Sequence, residues 1–367
     1  MITRNPGALD GLVISDFGRV LAGPYATMLL ADLGADVVKI ERPDTGDDTR
    51  QWGPPYTDDG EATYFLSVNR NKSSRAIDLR TDEGRAAAKA LVSEADVVVE
   101  NFLPGTMARF GLGYDDVRAI NDDVIYCSST GFGQESNLPG YDLLIQAVSG
   151  LMSVTGPSPD QPTKVGVALV DVITGLHAAV GILAALRHRD RTGEGQRVEV
   201  NLLTSALSAL TNQASAHLLT GVVPQATGNA HPSIVPYALY DAADRPMVLA
   251  VGNDRQFAAL ATALDLPGLA TDDRFATNAA RVANAVELEA TLNSVLKQKS
   301  AQHWADLLAE VGVPCGPVNS IADAFDLAQR VGPGATVDVE GLRQVANPIG
   351  LSATPPTYRT RPAKLGG

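Results

Sequence analysis

One carboxylate in this chain stands where carboxylates are rarely left without a task. Asp171 lies within VGVALVDVITGLHAAVGILAAL, residues 165–186, preceded by six uncharged residues and followed by five more, most of them apolar. Leaving it ionised and unpaired in such surroundings costs several kcal/mol, roughly. A folded chain keeps the group if it caps a helix, pairs with a donor or reacts. As a cap, Asp171 accepts from the amides of Ile173 or Thr174 at a helix start. As a reactant it is an oxygen nucleophile. The two roles are compatible, because a helix N-terminus both positions a carboxylate and favours its ionised form.

A second feature is basic. Lys39, Arg42, Arg50, Arg70, Lys72, Arg75 and Arg80 fall within about forty residues, with Arg109 further on. Two readings stay open. The cluster is a solvated face balanced by Asp44, Asp47, Asp48, Asp58 and Asp59, or it meets a phosphate-bearing ligand through charge-assisted, paired hydrogen bonds. The histidines say less. His177 shares the apolar segment and reads as a hydrogen-bonded core residue, whereas His231, in GNAHP, suits either a turn or a ligand contact. No set of His, Cys, Asp and Glu has metal-ligand spacing, so no metal is expected. The nucleophile elbow Gly-x-Ser-x-Gly is missing. The turn after the first apolar run reads DFGRVLAGP, which matches neither the dinucleotide fingerprint nor a phosphate loop and disfavours a nicotinamide-dependent dehydrogenase.

These residues need a scaffold. LVISD (12–16), ADVVKIE (35–41), DVVVEN (96–101) and DVIYCSS (123–129) read as strands, and GPYATMLLADLG (23–34) and residues 80–95 as helices between them. Continuous β-branched runs separated by amphipathic helices predict a parallel, Rossmann-like doubly wound sheet. Ligands bind beyond the carboxyl ends of such strands, which places a site at Asp16-Phe17-Gly18, Glu41-Arg42-Pro43, Glu100-Asn101-Phe102 and Ser128-Ser129-Thr130. RVEVNLLTSALSAL (197–210) reads as a strand entering a helix. The 165–186 segment is read as a buried helix, not a membrane span, because it carries Asp171 and His177 and no second span accompanies it.

The composition fits this frame. In 367 residues, 45% are hydrophobic and 19% charged, which is ordinary globular make-up. A large domain over 1–224, a smaller inserted α/β domain over 225–325 with a strand pair turning at Ala243-Asp244, and a returning segment over 326–367 are expected. The net charge of −13 disfavours nucleic acid and membrane surfaces as partners. Two distant cysteines and an N-terminus without an apolar signal core suggest a reducing, cytoplasmic setting.

Several blocks then carry a resemblance. DFGRVLAGPYATMLLADLGADVVKIERPDTGDDTR, AIDLRTDEG, DVVVENFLPGTMARFGLG, GYDLLIQAVSG and VALVDVITGLHAAVGILAAL, followed by GNAHPSIVPY, DDRFATNAARVAN, GVPCGPVN and IGLSATPP, resemble in order the blocks of the class III CoA-transferases. That family includes the formyl-CoA and carnitine CoA-transferases. The resemblance implies an interlocked homodimer in which each chain has a large Rossmann-like and a small domain. It implies acyl-CoA:carboxylate CoA transfer, with coenzyme A thioesters and free carboxylic acids as substrates and Asp171 as the nucleophile. By the same resemblance Val20, Arg42, Ile77, Asp78, Leu79 and Arg80 match positions that hold the CoA nucleotide. So does the stretch Asn101, Phe102, Leu103, Pro104, Gly105, Thr106, Met107 and Arg109. These largely coincide with the strand ends chosen on fold grounds.

The chain also departs from its likeness. Tyr141-Asp142 stands where the related α-methylacyl-CoA racemases carry a His-Asp pair, so one of their two bases is missing and a racemase is the lesser alternative, as is a non-catalytic CoA-binding protein. Leu21 replaces a glutamine of the formyl-transferring members, and their polyglycine loop is shortened to Thr227-Gly228-Asn229, with Gly228 at the position of a mobile lid. Formyl and oxalate are accordingly expected to be poor substrates.

Overall fold

Six short strands form one parallel sheet in the computed structural model, which describes residues 7–332 and 334–367. They are β1 (Val13–Asp16), β2 (Asp36–Glu41), β3 (Lys72–Ala76), β4 (Val97–Glu100), β5 (Ile125–Thr130) and β6 (Gln196–Asn201), in the order β3-β2-β1-β4-β5-β6. Period-two alternation buries both faces: Val97, Val99, Ile125 and Cys127 face one layer, and Val98 and Tyr126 the other. The order reverses between β1 and β4, and the crevice beyond their carboxyl ends is where such sheets bind ligands. β3 was not foreseen, because Lys-Ser-Ser-Arg-Ala carries almost no apolar signal. It forms as the sheet edge, with Lys72 and Ser74 buried and Ser73 and Arg75 exposed.

Five helices matter for the site. α1 (Ala22–Asp32) is buried on nearly every side, and α2 (Asp82–Ser93) starts on Thr81, whose hydroxyl accepts from the Gly84 N–H. α3 (Asp142–Val148) and α4 (Leu169–Thr192) follow β5, and α5 (Leu202–Ala209) is capped by Asn201. α4 extends past the predicted segment to Gly193, which takes the left-handed C-cap at φ 75°. By length and composition it could span a bilayer. It packs Ala178, Ile182, Ala185 and Leu186 into the core beside α1, as expected, but Leu176, Val180 and Leu183 on its other side are exposed. Burial is therefore one-sided where full burial was anticipated.

The basic cluster resolves into two groups. Lys39 and Lys72 point into the protein from β2 and β3: Lys39 Nζ lies 2.9 Å from Asp47, and Lys72 Nζ 3.1 Å from Asp16. Arg70 pairs with Asp32 at 2.7 Å, and Arg50 with Glu41 at 2.7 Å. Burial lowers the Lys72 pKa to about 8, against the opposing pull of Asp16. Burial works to raise the Asp16 carboxyl, yet Lys72 and Lys39 together hold it below its ordinary range. These are structural pairs, since removing one partner would strand a buried charge at a cost of about 3–5 kcal/mol. Four of the seven clustered cations are thus engaged internally.

The chain divides into two compact units, one of residues 1–152, 164–223 and 335–367, the other of 153–163 and 224–334. The smaller unit therefore also takes the turn-rich strip 153–163 and runs to 334, where the sequence suggested 225–325. Its antiparallel strands Tyr237–Asp241, Pro246–Ala250 and Cys315–Pro317 pack Tyr240, Met247 and Leu249 against Phe257, Leu288 and Leu292. In the larger unit, residues 357–367 return to β3: the Asn71 N–H donates to Thr360 O at 3.0 Å, and the Ser74 N–H to Gly367 O at 2.7 Å.

Candidate active site

Two adjoining cavities open beyond the carboxyl ends of the strands. The first, about 490 Å³, is walled by Phe17, Arg19, Ile40, Glu41, Arg42 and Pro43 on one side and by Ile77, Asp78, Leu79, Arg80, Phe102 and Phe110 on the other. Apolar faces with cations at the rim suit a purine carrying phosphates. The second, about 290 Å³, is walled by Val20, Leu21, Ala22, Asn101, Leu103, Pro104, Ser129, Thr130, Tyr141 and Asp171, and shares Arg19 and Phe102 with the first. A larger hollow of about 670 Å³ lies between β2, β3 and residues 359–367 and does not reach Asp171.

Asp171 is the third residue of α4 and does not cap it: Ala168 holds the N-cap position without a side-chain bond. The missing cap comes from another helix. Asp142 Oδ1 accepts from the Val170 N–H at 2.8 Å and the Asp171 N–H at 3.3 Å. Asp142 Oδ2 accepts from Gln146 Nε2 at 2.6 Å, and Gln146 Oε1 in turn accepts from the Val165 N–H at 2.8 Å. Gln146 is fully buried, so this chain of bonds is rigid. It leaves the Asp171 carboxylate free of cap duty and half-buried in the cavity wall. Burial first, and the nearby Asp142 carboxylate second, push the Asp171 pKa up to about 7. Among the described residues, no cation lies within ion-pair distance of it.

Tyr64 was not anticipated. Burial, then the Asp171 and Asp142 charges, push its phenol up to about 12, and its ring meets Trp52 edge-on at 5.3 Å. Neither aromatic lies near Asp171 in sequence, so only folding joins them. Asp142 was in view merely as the neighbour of an absent histidine; the usable signal was an apolar helix start with no capping side chain of its own.

The remaining candidates separate. Arg42 pairs closely with Asp48, and Arg80 with Asp78 at 2.8 Å, both at the rim of the first cavity. Asn101 clamps the backbone of Arg19, accepting from its N–H at 2.8 Å and donating to its carbonyl at 2.7 Å. Gly105, at φ 77°, opens the short helix Thr106–Arg109, where Arg109 donates to Thr106 Oγ1 at 2.9 Å. Gly105, Thr106 and Arg109 wall neither cavity, and Met107 is buried in the core with Leu112 and Val117, so its side chain packs and does not meet solvent. Gly228 belongs to the smaller unit, at φ 64°, with its N–H donating to Gly156 O. His177 Nδ1 lies 3.0 Å from Ser205 Oγ, and His231 Nδ1 accepts from the Ser233 N–H at 3.1 Å, so both histidines hold local structure.

Comparison with known proteins adds four findings. The model of a family described as "CoA-transferase family III" matches residues 9–367. The chain is 43% identical to a protein of Agrobacterium fabrum named succinate–glutarate CoA-transferase, over all of this chain and 94% of that one. It is 40% identical to an acetyl-CoA:oxalate CoA-transferase of Acetobacter aceti, covering 94% and 90% of the two chains, which sets the expected exclusion of oxalate against a relative named for it. Among solved structures, a CaiB/BaiF family protein from Brucella suis superposes with a TM-score of 0.90 at 44% identity, over 99% of this chain and 97% of that one.

Proposed function

The chain belongs to CoA-transferase family III and is a CoA-transferase; from that premise we propose that it carries CoA between short dicarboxylic acids through covalent intermediates on Asp171. One observation carries this reading. Asp171 is a cavity-wall carboxylate with no cation beside it among the described residues, in a pocket that shares Arg19 and Phe102 with one suited to a nucleotide. The names of relatives, for succinate, glutarate and oxalate, suggest the class of acid.

An Asp171 oxygen attacks the thioester carbonyl; the C–S bond breaks, CoA thiolate leaves and a mixed anhydride forms. The thiolate attacks the aspartyl carbonyl of that anhydride, releasing the donor acid and leaving an aspartyl-CoA thioester. The acceptor carboxylate attacks this thioester and expels the thiolate, which attacks the new acyl carbonyl and frees Asp171. No net proton moves, and the thioester's free energy is kept throughout, which is why a carboxylate serves better than a hydroxyl. The raised pKa reflects weak solvation, and a poorly solvated carboxylate is the more reactive one once ionised. α1 opens into the same cavity with no side-chain cap at Leu21, so its first amides are available to the oxyanion.

Arg42, Ile77 to Arg80 and Phe102 are assigned to the nucleotide, and Leu21, Tyr141 and Asn101 to the acyl end. Hydroxylamine added during turnover with succinyl-CoA tests the covalent route. It is expected to give an aspartyl hydroxamate at Asp171, read by peptide mass spectrometry. Turnover without any modification at that residue would refute the reading.

The interlocked homodimer belongs to the same proposal. Leu176, Val180 and Leu183 form an exposed apolar stripe on α4, and Leu218 and Leu219 are more than three-quarters exposed. A second copy of the chain is the occupant that would remove this surface from water. Sedimentation at micromolar concentration is expected to give a dimer; a persistent monomer with full activity would overturn it.

A further inference from the structure

Resting on the reading of a CoA site, we infer that Arg19 grips the diphosphate bridge of CoA at the neck where the two cavities meet. The argument begins with backbone. Residues 18–20 are held by side chains from β2, from the loop after it and from the end of β4: Lys39 Nζ donates to Gly18 O at 2.7 Å, Asp47 accepts from the Val20 N–H at 3.2 Å, and Asn101 brackets Arg19. Val20 is held at φ 63°, a region that β-branched residues avoid. So much restraint fixes the point from which the Arg19 side chain departs. Its guanidinium then lies over the Phe102 ring, 4.4 Å from the centroid, and walls both cavities.

The charge accounting singles Arg19 out. Arg42 and Arg80 have their own aspartates, Lys39 and Lys72 are buried on theirs, and Arg50 pairs with Glu41. Arg19, half-buried, has no carboxylate within ion-pair distance among the described residues. Burial and the neighbouring Arg42 lower its pKa, yet a guanidinium stays charged. An uncompensated buried cation is costly until an anion arrives. Its charged neighbours flank both cavities: Arg42 walls the first and Asp48 the second. Stacked on Phe102 in the wall that the two cavities share, it stands where the diphosphate must pass and offers the planar fork that binds paired phosphate oxygens.

The test measures binding of free CoA to the full-length protein by calorimetry, alongside KM for succinyl-CoA. Arg19→Met is expected to weaken CoA binding by about 10–100-fold, as for a lost charge-assisted bond. Arg19→Lys, which keeps the charge without the fork, is expected to restore only part of that loss. Arg42→Ala, which removes a cation already paired with Asp48, is expected to cost less than Arg19→Met. Unchanged CoA affinity in both Arg19 variants would overturn the assignment, and unchanged affinity with a raised KM for succinyl-CoA would move Arg19 to the acyl group's second carboxylate. If the unmodified protein binds CoA but yields no Asp171 adduct, the transfer reading fails while the Arg19 measurement still stands.

Discussion

Asp171→Ala abolishes CoA transfer, lowering kcat by about 10⁴-fold or more, the scale seen when a covalent nucleophile is removed. Binding of free CoA stays near that of the unmodified protein, because the nucleotide cavity does not include Asp171. Asp171→Asn is the isosteric partner experiment and adds a stability reading. The folded carboxyl holds its proton up to about pH 7, against 3.8 when unfolded. With the folded pKa raised, the contribution to stability is intact below the unfolded value and is lost as pH rises through the folded one. Chemical unfolding should therefore find Asp171→Asn no different from the unmodified protein at acid pH and more stable at pH 8. The gain is on the order of 2 kcal/mol after solvent screening of a half-buried group. Retained turnover in either variant, or destabilisation of the asparagine variant at pH 8, would sink the assignment.

The second large effect concerns Asp142. With an ionised nucleophile required, kcat/KM for acyl-CoA is expected to rise with pH to a plateau above about 7, following the Asp171 carboxyl. Asp142→Ala strips the acceptor from the Val170 and Asp171 amides. That loss should lower stability by about 1 kcal/mol. It should also cut the plateau rate by about 10–100-fold through mispositioning. The same change removes the like charge beside Asp171, so the acid limb moves to lower pH while the burial contribution remains. Asp142→Asn keeps an oxygen for the Val170 amide, and should shift the limb with a smaller loss at the plateau. An Asp142→Ala profile that overlays the original in both limb and plateau would show that this carboxylate neither holds nor tunes the nucleophile.

Much of this was legible in the sequence. Alternating β-branched strands and amphipathic helices predicted the parallel sheet, and the isolation of Asp171 in an apolar run marked it as the candidate nucleophile. Those signals are local: a two-residue or 3.6-residue period and a burial penalty are properties of a single segment. Three strand ends were equally predictable, so Arg42, Asn101 and Phe102 fell where cavities open, whereas Ile77 to Arg80, beyond the unforeseen β3, were named only by the family resemblance. What stayed hidden was pairing. Nothing between residues 39 and 80 tells a cation buried on a carboxylate from one left for a ligand, since Lys39, Arg42 and Lys72 look alike along the chain. The helix start of α4 could not reveal that Asp142, twenty-nine residues before Asp171, would cap it.

The scaffold and the candidate nucleophile of this protein were thus written into segment composition. Which charges cancel, which cation is left unneutralised at Arg19 and which carboxylate is released from structural duty were decided only when distant strand ends met. Electrostatic energy depends on separation in space and on the surrounding dielectric, and neither exists until the chain has folded.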